Sequence, residues 1–237
     1  MESKPTFEAI VATYQRAMVI VAHPDDPEFF AGGTVARLTQ AGLQVEYVIL
    51  TAGDKGSDER DLPDQELAAT RVVEQKAAAA ALGVGQVAFL GYPDGFLMPT
   101  YEAQRDTVRE IRRFQPDIIL TQDPERLYSP WGVSHRDHRM AGLLVLDAVF
   151  PAARNHRYFP ELLAEGWEPH KVSEIWISRG ADADLEVDVT SAWDQRLAAL
   201  LNHRTQIGDP ERFRQRMAER RPAEGPVLET FRRVVFR

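Results

Sequence analysis

Short apolar runs rich in β-branched residues recur along this chain, and helical patterns separate most of them. The runs predict strands at residues 18–22, 45–52, 86–91, 118–123, 174–178 and 185–189. The helical patterns cover residues 32–42, 64–82 and 101–114, and a fourth begins near Ser134. Such alternation is typical of βαβ units. The sequence therefore predicts an α/β, Rossmann-like three-layer sandwich with a mostly parallel central sheet of five to six strands.

Composition narrows the class of protein further. A length of 237 residues fits one domain spanning residues 1–237. We expect a cytoplasmic protein without a membrane span, because no apolar run approaches about 18 residues and the first residues do not resemble a signal peptide. The net charge of −8 argues against a partner that is a nucleic acid. The chain has no cysteine, so any metal must be held by histidine and carboxylate.

The charge is unevenly distributed along the chain. Residues 201–237 contain nine arginines and five acidic residues, a net charge of +4, which leaves −12 on the rest. This segment predicts a basic C-terminal helical extension. It either forms a solvated helix, which the pattern favours, or docks on the acidic body or on a neighbouring subunit.

Two short segments far apart in the chain concentrate groups that bind metals and transfer protons. They are AHPDDPEFF at 22–30 and SHRDHR at 134–139, and they contain His23, Asp25, Asp26, Glu28, His135, Asp137 and His138. The first follows a predicted strand. The second begins a predicted helix, with Ser134 as N-cap and Asp137 as the carboxylate of a capping pair. Both fall at the carboxyl edge of the sheet, where open α/β sheets bind ligands.

Each segment has a plain structural interpretation when taken alone. HPDD is a common kind of turn, and HRDH is a normal start for a charged helix. Together they indicate a metal site, because a catalytic zinc keeps about three protein ligands and an open position for water. His23, Asp26 and His138 would supply such a set. A nucleotide site is disfavoured, because the glycines at 32 and 33 belong to no phosphate-binding pattern.

The wider sequence resembles a known family. AHPDDPEFFAGGTVARL is similar to the signature of the PIG-L/LmbE-like zinc-dependent N-deacetylases, and SHRDH is similar to their (N/T)HPDH motif. Further similarities lie at LTAGDKG, RVVEQKAAAAALGV, GYPDG and LLNHRTQ. The resemblance implies a metal-dependent hydrolase that removes the N-acetyl group from an N-acetylglucosamine-type conjugate. Its relatives include trimers and hexamers, so a homo-oligomer is a further expectation.

The resemblance also implies roles for residues of both motifs. His23, Asp26 and His138 would bind Zn²⁺, although Fe²⁺ or another divalent metal also suits this donor set. Asp25 would be the general base that takes a proton from the attacking water. His135 would stabilise the oxyanion or protonate the leaving amine.

Asp137 and four residues outside the motifs complete the expected site. Asp137 would fix the tautomer of a neighbouring imidazole and favour its protonated form. Arg71 and Asp94 match family positions that line the sugar site, although Arg71 could equally form a surface ion pair with Glu74. Tyr128 and Trp131, in an apolar loop at 127–132, would stack on substrate or else pack on the sheet or at an oligomer contact.

Two other functions remain open from the sequence. One is an amidase acting on a larger N-acyl group or a thiol conjugate, which the apolar loop around Trp131 would favour. The other is a non-catalytic metal-binding or carbohydrate-binding module. The second is disfavoured because Asp25 and His135 are needed for catalysis but not for binding. His203, in the LLNHRTQ segment, is explained as a histidine at a helix end.

Overall fold

A seven-stranded sheet forms the centre of the protein in the computed structural model, which describes residues 6–129, 132–178 and 182–236. Its strands lie in the order β3-β2-β1-β4-β7-β9-β8. The first five are parallel, whereas β9 runs antiparallel to both its neighbours. Strands β5 and β6 form a separate hairpin. The bounds are β1 Arg16–Val21, β2 Gln44–Thr51, β3 Gln86–Tyr92, β4 Ile118–Thr121, β5 Tyr128–Ser129, β6 Gly132–Val133, β7 Glu174–Ser178, β8 Leu185–Asp188 and β9 Leu228–Val235.

Helices connect these strands and cover the sheet. They are α1 Phe7–Val11, α2 Asp26–Gln40, α3 Asp64–Ala81, α4 Tyr101–Phe114, α5 Arg136–Asp147, α6 Pro160–Ala164, α7 Trp193–Leu200, α8 Arg204–Ile207 and α9 Pro210–Arg220. A π-helical turn at Ala148–Ala153 and a 3₁₀ turn at Thr190–Ala192 extend two of them. Within the described ranges, no helix is both long enough and apolar enough to cross a membrane.

Strand β1 is buried on both of its faces. Its side chains alternate between two cores, Ala17, Val19 and Val21 facing one and Met18 and Ile20 facing the other. The first core is completed by residues of α2, α3 and α7, and the second by residues of α4 and α5. A strand buried on both faces reads as a continuous apolar run, as in parallel sheets. The three-layer α/β sandwich expected from the sequence is therefore confirmed.

The C-terminal segment differs from the prediction. It contains helices α8 and α9 but ends in strand β9, which raises the number of strands in the sheet to seven. Phe231 of β9 is fully buried, with its ring centroid 5.9 Å from that of Trp176. Arg233 forms an ion pair with the buried Glu174 of β7. The expectation of a solvated helix is wrong for β9, because Arg233 has a partner on a distant strand that the local pattern does not show. Helix α9 of the same segment is largely exposed, with Phe213 and Met217 buried.

One buried arginine forms hydrogen bonds to the backbone of the segment that follows α5. Arg112 of α4 is 1% exposed, and its guanidinium donates hydrogen bonds of 3.0–3.2 Å to four backbone carbonyls. These belong to Ala152, Ala153, Asn155 and Tyr158. Three of these carbonyls, at Ala152, Ala153 and Asn155, also accept a backbone N–H, so the guanidinium adds a second hydrogen bond to each and joins this irregular segment to α4.

We expect Arg112→Met to lower the free energy of unfolding by about 3 kcal/mol, because it removes four hydrogen bonds that a buried, charged side chain donates. Urea denaturation would measure the change. Arg113→Met is the matched control on the same helix. Its ion pairs with Glu46 and Glu110 are partly exposed, and such pairs contribute less than about 1 kcal/mol. Equal losses in the two variants would contradict the role assigned to Arg112.

The strand order also locates the functional edge of the sheet. Strands β1 and β4 are neighbours, but the chain leaves β1 toward β2 on one side and continues from β4 toward β7 on the other. The order therefore reverses between β1 and β4, which opens a crevice at their carboxyl ends. His23 follows β1, and the segment leading to α5 follows β4.

Candidate metal centre

Three side chains from the two sequence motifs meet in this crevice. His23 Nδ1 lies 3.2 Å from His138 Nε2. The carboxylate oxygens of Asp26 lie 3.3 Å from His23 Nδ1 and 3.0 Å from His138 Nε2. Ligands at about 2.0–2.1 Å from a tetrahedral zinc are separated by about 3.3 Å. The three predicted ligands thus present one nitrogen, oxygen and nitrogen set with the spacing of a metal site.

The turn after β1 brings His23 and Asp26 together. The His23 backbone N–H donates to Asp26 Oδ2 at 2.8 Å, and α2 begins at Asp26. Although burial opposes ionisation, the charges and hydrogen bonds of His138 and His23 hold the pKa of Asp26 well below its ordinary value. Asp26 is therefore an anion at neutral pH, as a metal ligand must be.

The other ring nitrogen of His23 faces two carboxylates. His23 Nε2 lies 3.1 Å from Asp94 Oδ1 and 3.5 Å from Asp137 Oδ2. Burial disfavours the charged ring, yet hydrogen bonds to carboxylates raise the pKa of His23 to about 11. The carboxylates behind a ligating imidazole orient it and make it a stronger ligand. Asp94, expected to contact substrate, therefore also lies against a predicted metal ligand.

Asp25 lies beside this set with its carboxylate in a different environment. Burial and the neighbouring Asp26 carboxylate raise the pKa of Asp25 to about 7, although the charge of Arg71 lowers it. The Arg71 Nη2 atom lies 3.4 Å from Asp25 Oδ2. A carboxylate with a pKa near neutrality can both accept and return a proton at physiological pH. This environment is the one expected of a general base.

The raised pKa of Asp25 predicts how activity depends on pH. A base must be ionised to act, so activity should be present above its pKa and fall as the pH drops through it. A bound divalent cation adds positive charge and lowers this pKa, so the acidic limb of kcat/KM should lie at or below about pH 7. A pH series on the metal-loaded protein measures the limb. Activity that rises as the pH falls through this range would contradict the assignment.

Arg71 is buried rather than exposed on a helix surface. It is 4% exposed, and it donates to Gly53 O at 2.8 Å and Pro24 O at 2.7 Å. A Cβ at residue 53 would lie 2.5 Å from the guanidinium carbon, so a larger residue there would displace Arg71 from this position. Glu74 instead accepts hydrogen bonds from Thr205. The surface ion pair considered from the sequence is therefore absent, and Arg71 supports the turn that carries Asp25.

His135 lies on the other side of the metal centre. Its ring centroid is 4.6 Å from that of His23, and its Nδ1 accepts the backbone N–H of Asp137 at 3.2 Å. The neutral ring therefore carries its proton on Nε2. Burial, followed by the charges of His23 and His138, lowers the pKa of His135. The result is an uncharged N–H donor at neutral pH.

Two expectations for this helix start are wrong in detail. The N-cap of α5 is His135 and not Ser134. The Asp137 carboxylate does not cap the helix but accepts the backbone N–H groups of Gly95 and Leu97 at 2.7 and 3.2 Å. Asp137 raises the pKa of His23, yet it does not make His135 protonated, because burial and two other imidazoles outweigh it. It is the backbone of Asp137 that fixes the His135 tautomer.

The crevice has two lobes that meet at Asp26, His135 and His138. The smaller, of about 250 Å³, is polar, and its lining includes Asp25, Lys55, Arg71, Asp94 and Gln206. The larger, of about 500 Å³, is lined in part by Phe29, Phe30, Gln122, Arg126 and Val133. We define these as the polar lobe and the aromatic lobe.

The structure separates the substrate-binding candidates. Arg71 and Asp94 line the polar lobe as expected. Tyr128 is 77% exposed on the β5–β6 hairpin and belongs to neither lobe, so nothing here brings it to the site. Trp131 lies outside the described residues. Lys55 and Gln206 line the polar lobe but were not singled out from the sequence, because neither stands in a motif with an obvious chemistry.

Comparison with known proteins agrees with this geometry. Residues 18–149 match the family model described as "PIG-L: GlcNAc-PI de-N-acetylase". The chain belongs to the PIG-L family. The chain is similar to the diacetylchitobiose deacetylase of Thermococcus kodakarensis and to a 1D-myo-inositol 2-acetamido-2-deoxy-alpha-D-glucopyranoside deacetylase of Segniliparus rotundus. The first is 32% identical over 193 residues, 81% of this chain and 70% of the relative. The second is 30% identical over 198 residues, 71% of this chain and 59% of the relative.

A solved structure extends the likeness beyond the region of the PIG-L match. The N,N'-diacetylchitobiose deacetylase from Pyrococcus horikoshii superposes with a TM-score of 0.84 at 27% identity. The alignment covers 99% of this chain and 95% of the other. The fold therefore continues through the C-terminal strand, which the family match alone does not reach.

Proposed function

We propose that this PIG-L protein is a metal-dependent hydrolase that removes the N-acetyl group from an N-acetylglucosamine-type conjugate. One observation carries the proposal: the polar lobe is lined at once by the three candidate ligands, by Asp25 and by His135. A binding module would need the ligands but not the base or the N–H donor. The named relatives act on N-acetylated sugars, which supports the substrate class.

The residues present fit a divalent metal, and zinc is the one we propose. Two imidazole nitrogens and a carboxylate are typical zinc donors, and the same set also suits Fe²⁺. When bound at His23, Asp26 and His138, the metal would polarise the acetyl carbonyl and make a water more acidic. Metal analysis of protein purified without added metal would identify the ion.

The chain's own residues account for the proton transfers. Asp25 accepts the proton of the attacking water, because its carboxylate lines the polar lobe and burial raises its pKa toward neutrality. His135 donates its Nε2–H to the oxygen that gains charge as the carbonyl carbon becomes tetrahedral. Asp25 then returns the proton to the nitrogen as the C–N bond breaks. The products are acetate and a free amino sugar.

The two lobes suggest how a conjugate is bound. Arg71, Lys55 and Gln206 offer hydrogen-bond donors to sugar hydroxyls in the polar lobe. The aromatic lobe, with Phe29 and Phe30, is large enough for the group attached to the sugar. The same lobe is the observation that favours the second candidate function, an amidase in which a larger acyl group occupies it. We further propose a cytoplasmic, single-domain enzyme whose substrates are small molecules.

Amine release from a substrate panel tests the proposal. The panel contains N-acetylglucosamine, diacetylchitobiose, a GlcNAc-inositol and matched glucosamines with longer N-acyl chains, each incubated with zinc-loaded protein. Faster release from the N-acetyl members supports the deacetylase. Faster release from the longer acyl members favours the amidase. No release from protein that holds its metal contradicts both.

A further inference from the structure

A series of buried hydrogen bonds runs from the backbone of Asp25 to the segment before α8. The Asp25 N–H donates to Gln75 Oε1 at 2.7 Å, and Gln75 Nε2 donates to both oxygens of Glu28 at 3.1 Å. His203 Nε2 lies 3.0 Å from Glu28 Oε2. Gln75 and Glu28 are fully buried, and His203 is 1% exposed. None of these three side chains lines either lobe of the crevice.

The chemistry of this series fixes the orientation of the Gln75 amide. A carboxylate only accepts hydrogen bonds, so Glu28 selects the NH₂ end of Gln75 and the N–H of His203. The carbonyl oxygen of Gln75 is thereby left facing Asp25. A flipped amide would place its oxygen against the Glu28 carboxylate and its NH₂ group against the Asp25 N–H, so both contacts would be lost.

The backbone at Asp25 needs such support. Asp25 has φ 86° and ψ −31°, a conformation that residues other than glycine rarely adopt. It persists only where the surroundings hold it. Helix α3 supplies those surroundings twice, because Gln75 accepts the Asp25 N–H and Arg71, four residues earlier, donates to Pro24 O. The carbonyl and the N–H of the single Pro24–Asp25 peptide group are thus both held by side chains from one face of α3.

We propose that Gln75 is a positioning residue, held by the Glu28–His203 pair, that sets the backbone of Asp25 and so aims its carboxylate into the polar lobe. The inference rests on the proposed function, because Asp25 must act as the base. It assigns a reason for the burial of Glu28 and for the position of His203, whose explanation as a helix-end histidine does not account for its contact with Glu28.

Kinetics of Gln75→Leu test the proposal directly. Leucine removes the acceptor for the Asp25 N–H, so the base moves relative to the scissile carbonyl. A misplacement of about 1 Å costs about 100-fold, so kcat should fall by roughly that factor. KM should stay within about twofold, because Gln75 does not line the cleft. Zinc content and the thermal unfolding midpoint are measured on the same samples, so that rates are compared for folded, loaded protein.

An exchange of the two side chains provides the rescue. Gln75→Glu alone sets two buried carboxylates against each other and should lose activity. The double variant combines Glu28→Gln with Gln75→Glu. The carboxylate now at position 75 accepts the Asp25 N–H. The amide now at position 28 donates its NH₂ to that carboxylate and accepts the His203 N–H with its oxygen. The double variant should recover kcat to within about threefold of the wild type, a coupling that independent sites would not show. Failure of the double variant to exceed Gln75→Glu would overturn the proposal.

Gln195→Leu is the matched control, since Gln195 also bridges two groups but lies away from the site, at Ala81 O and Gln40. Its kcat should be unchanged. Hydrogen exchange at the Asp25 amide should be faster in Gln75→Leu and unaltered in Gln195→Leu. If active Gln75→Leu protein has the wild-type kcat, the positioning role of Gln75 is contradicted, but the proposed function is not. A zinc-loaded wild type that releases no amine contradicts the proposed function, while the exchange rate still tests the contact.

Discussion

Asp25→Asn is expected to lower kcat by about 10³-fold, because general acid–base groups contribute about 10² to 10⁴. Asparagine keeps the size of the side chain and tolerates a positive φ better than most residues, so the turn at φ 86° should survive. What it loses is the ability to accept a proton from water. Steady-state amine release, measured at equal zinc content, gives the factor.

Zinc content separates this effect from loss of the metal. Asp25 is not among the three side chains placed around the candidate centre, so Asp25→Asn should bind zinc as the wild type does. Asp58→Asn, on the exposed loop after β2, is the matched control and should be fully active. Wild-type turnover by Asp25→Asn would remove the general base from the mechanism. Loss of zinc would instead make Asp25 a ligand.

His138→Ala should abolish both metal binding and activity. It removes one of three donors that lie 3.0–3.3 Å apart and leaves only His23 and Asp26. We expect the zinc affinity to fall by more than the factor of about 10–100 that changes behind a ligand produce. Asp94→Asn alters a carboxylate behind His23 and not a ligand, so its loss of zinc affinity should lie within that smaller range. Competition with a chromophoric chelator would measure both.

His170→Ala is the control for a missing imidazole. The His170 ring lies 2.8 Å from Pro116 O, before β4 and so at the opposite edge of the sheet from the metal centre. Its zinc affinity should equal that of the wild type. If His138→Ala retains zinc with unchanged affinity, the ligand set derived from both sequence and structure is wrong.

The candidate metal centre could be predicted from the sequence because each candidate ligand stands next to a strong local signal. His23 follows an apolar strand, and His138 lies in the first turn of a clearly amphipathic helix. Topology then brings the two strand ends together. Most of the six apolar strands were predicted for the same reason: their burial on one or both faces leaves a direct pattern in the sequence.

The features that were missed depend on partners far away in the chain. The local sequence assigns Arg233 to the solvent, whereas the structure pairs it with Glu174 of β7. The burial of His203 is explained by its contact with Glu28. The burial of Arg71 is explained by its hydrogen bonds to the carbonyls of residues 24 and 53. Polar residues in helices and strands are usually exposed, so a local pattern assigns them to the surface. Their burial follows from tertiary contacts that no periodicity shows.

The position of β9 has a consequence for how the chain is made. Strand β8 pairs only with β9 within the described sheet, and β9 follows β7 and β8 along the chain, with helices α7, α8 and α9 between β8 and β9. During synthesis, the candidate metal ligands and β1 to β4 emerge first. One edge of β7 and one edge of β8 then stay unpaired until β9 has been made. Unpaired edges favour association with other chains. We therefore expect ribosome-bound chains that stop before residue 228 to depend on chaperones far more than chains that include β9 do.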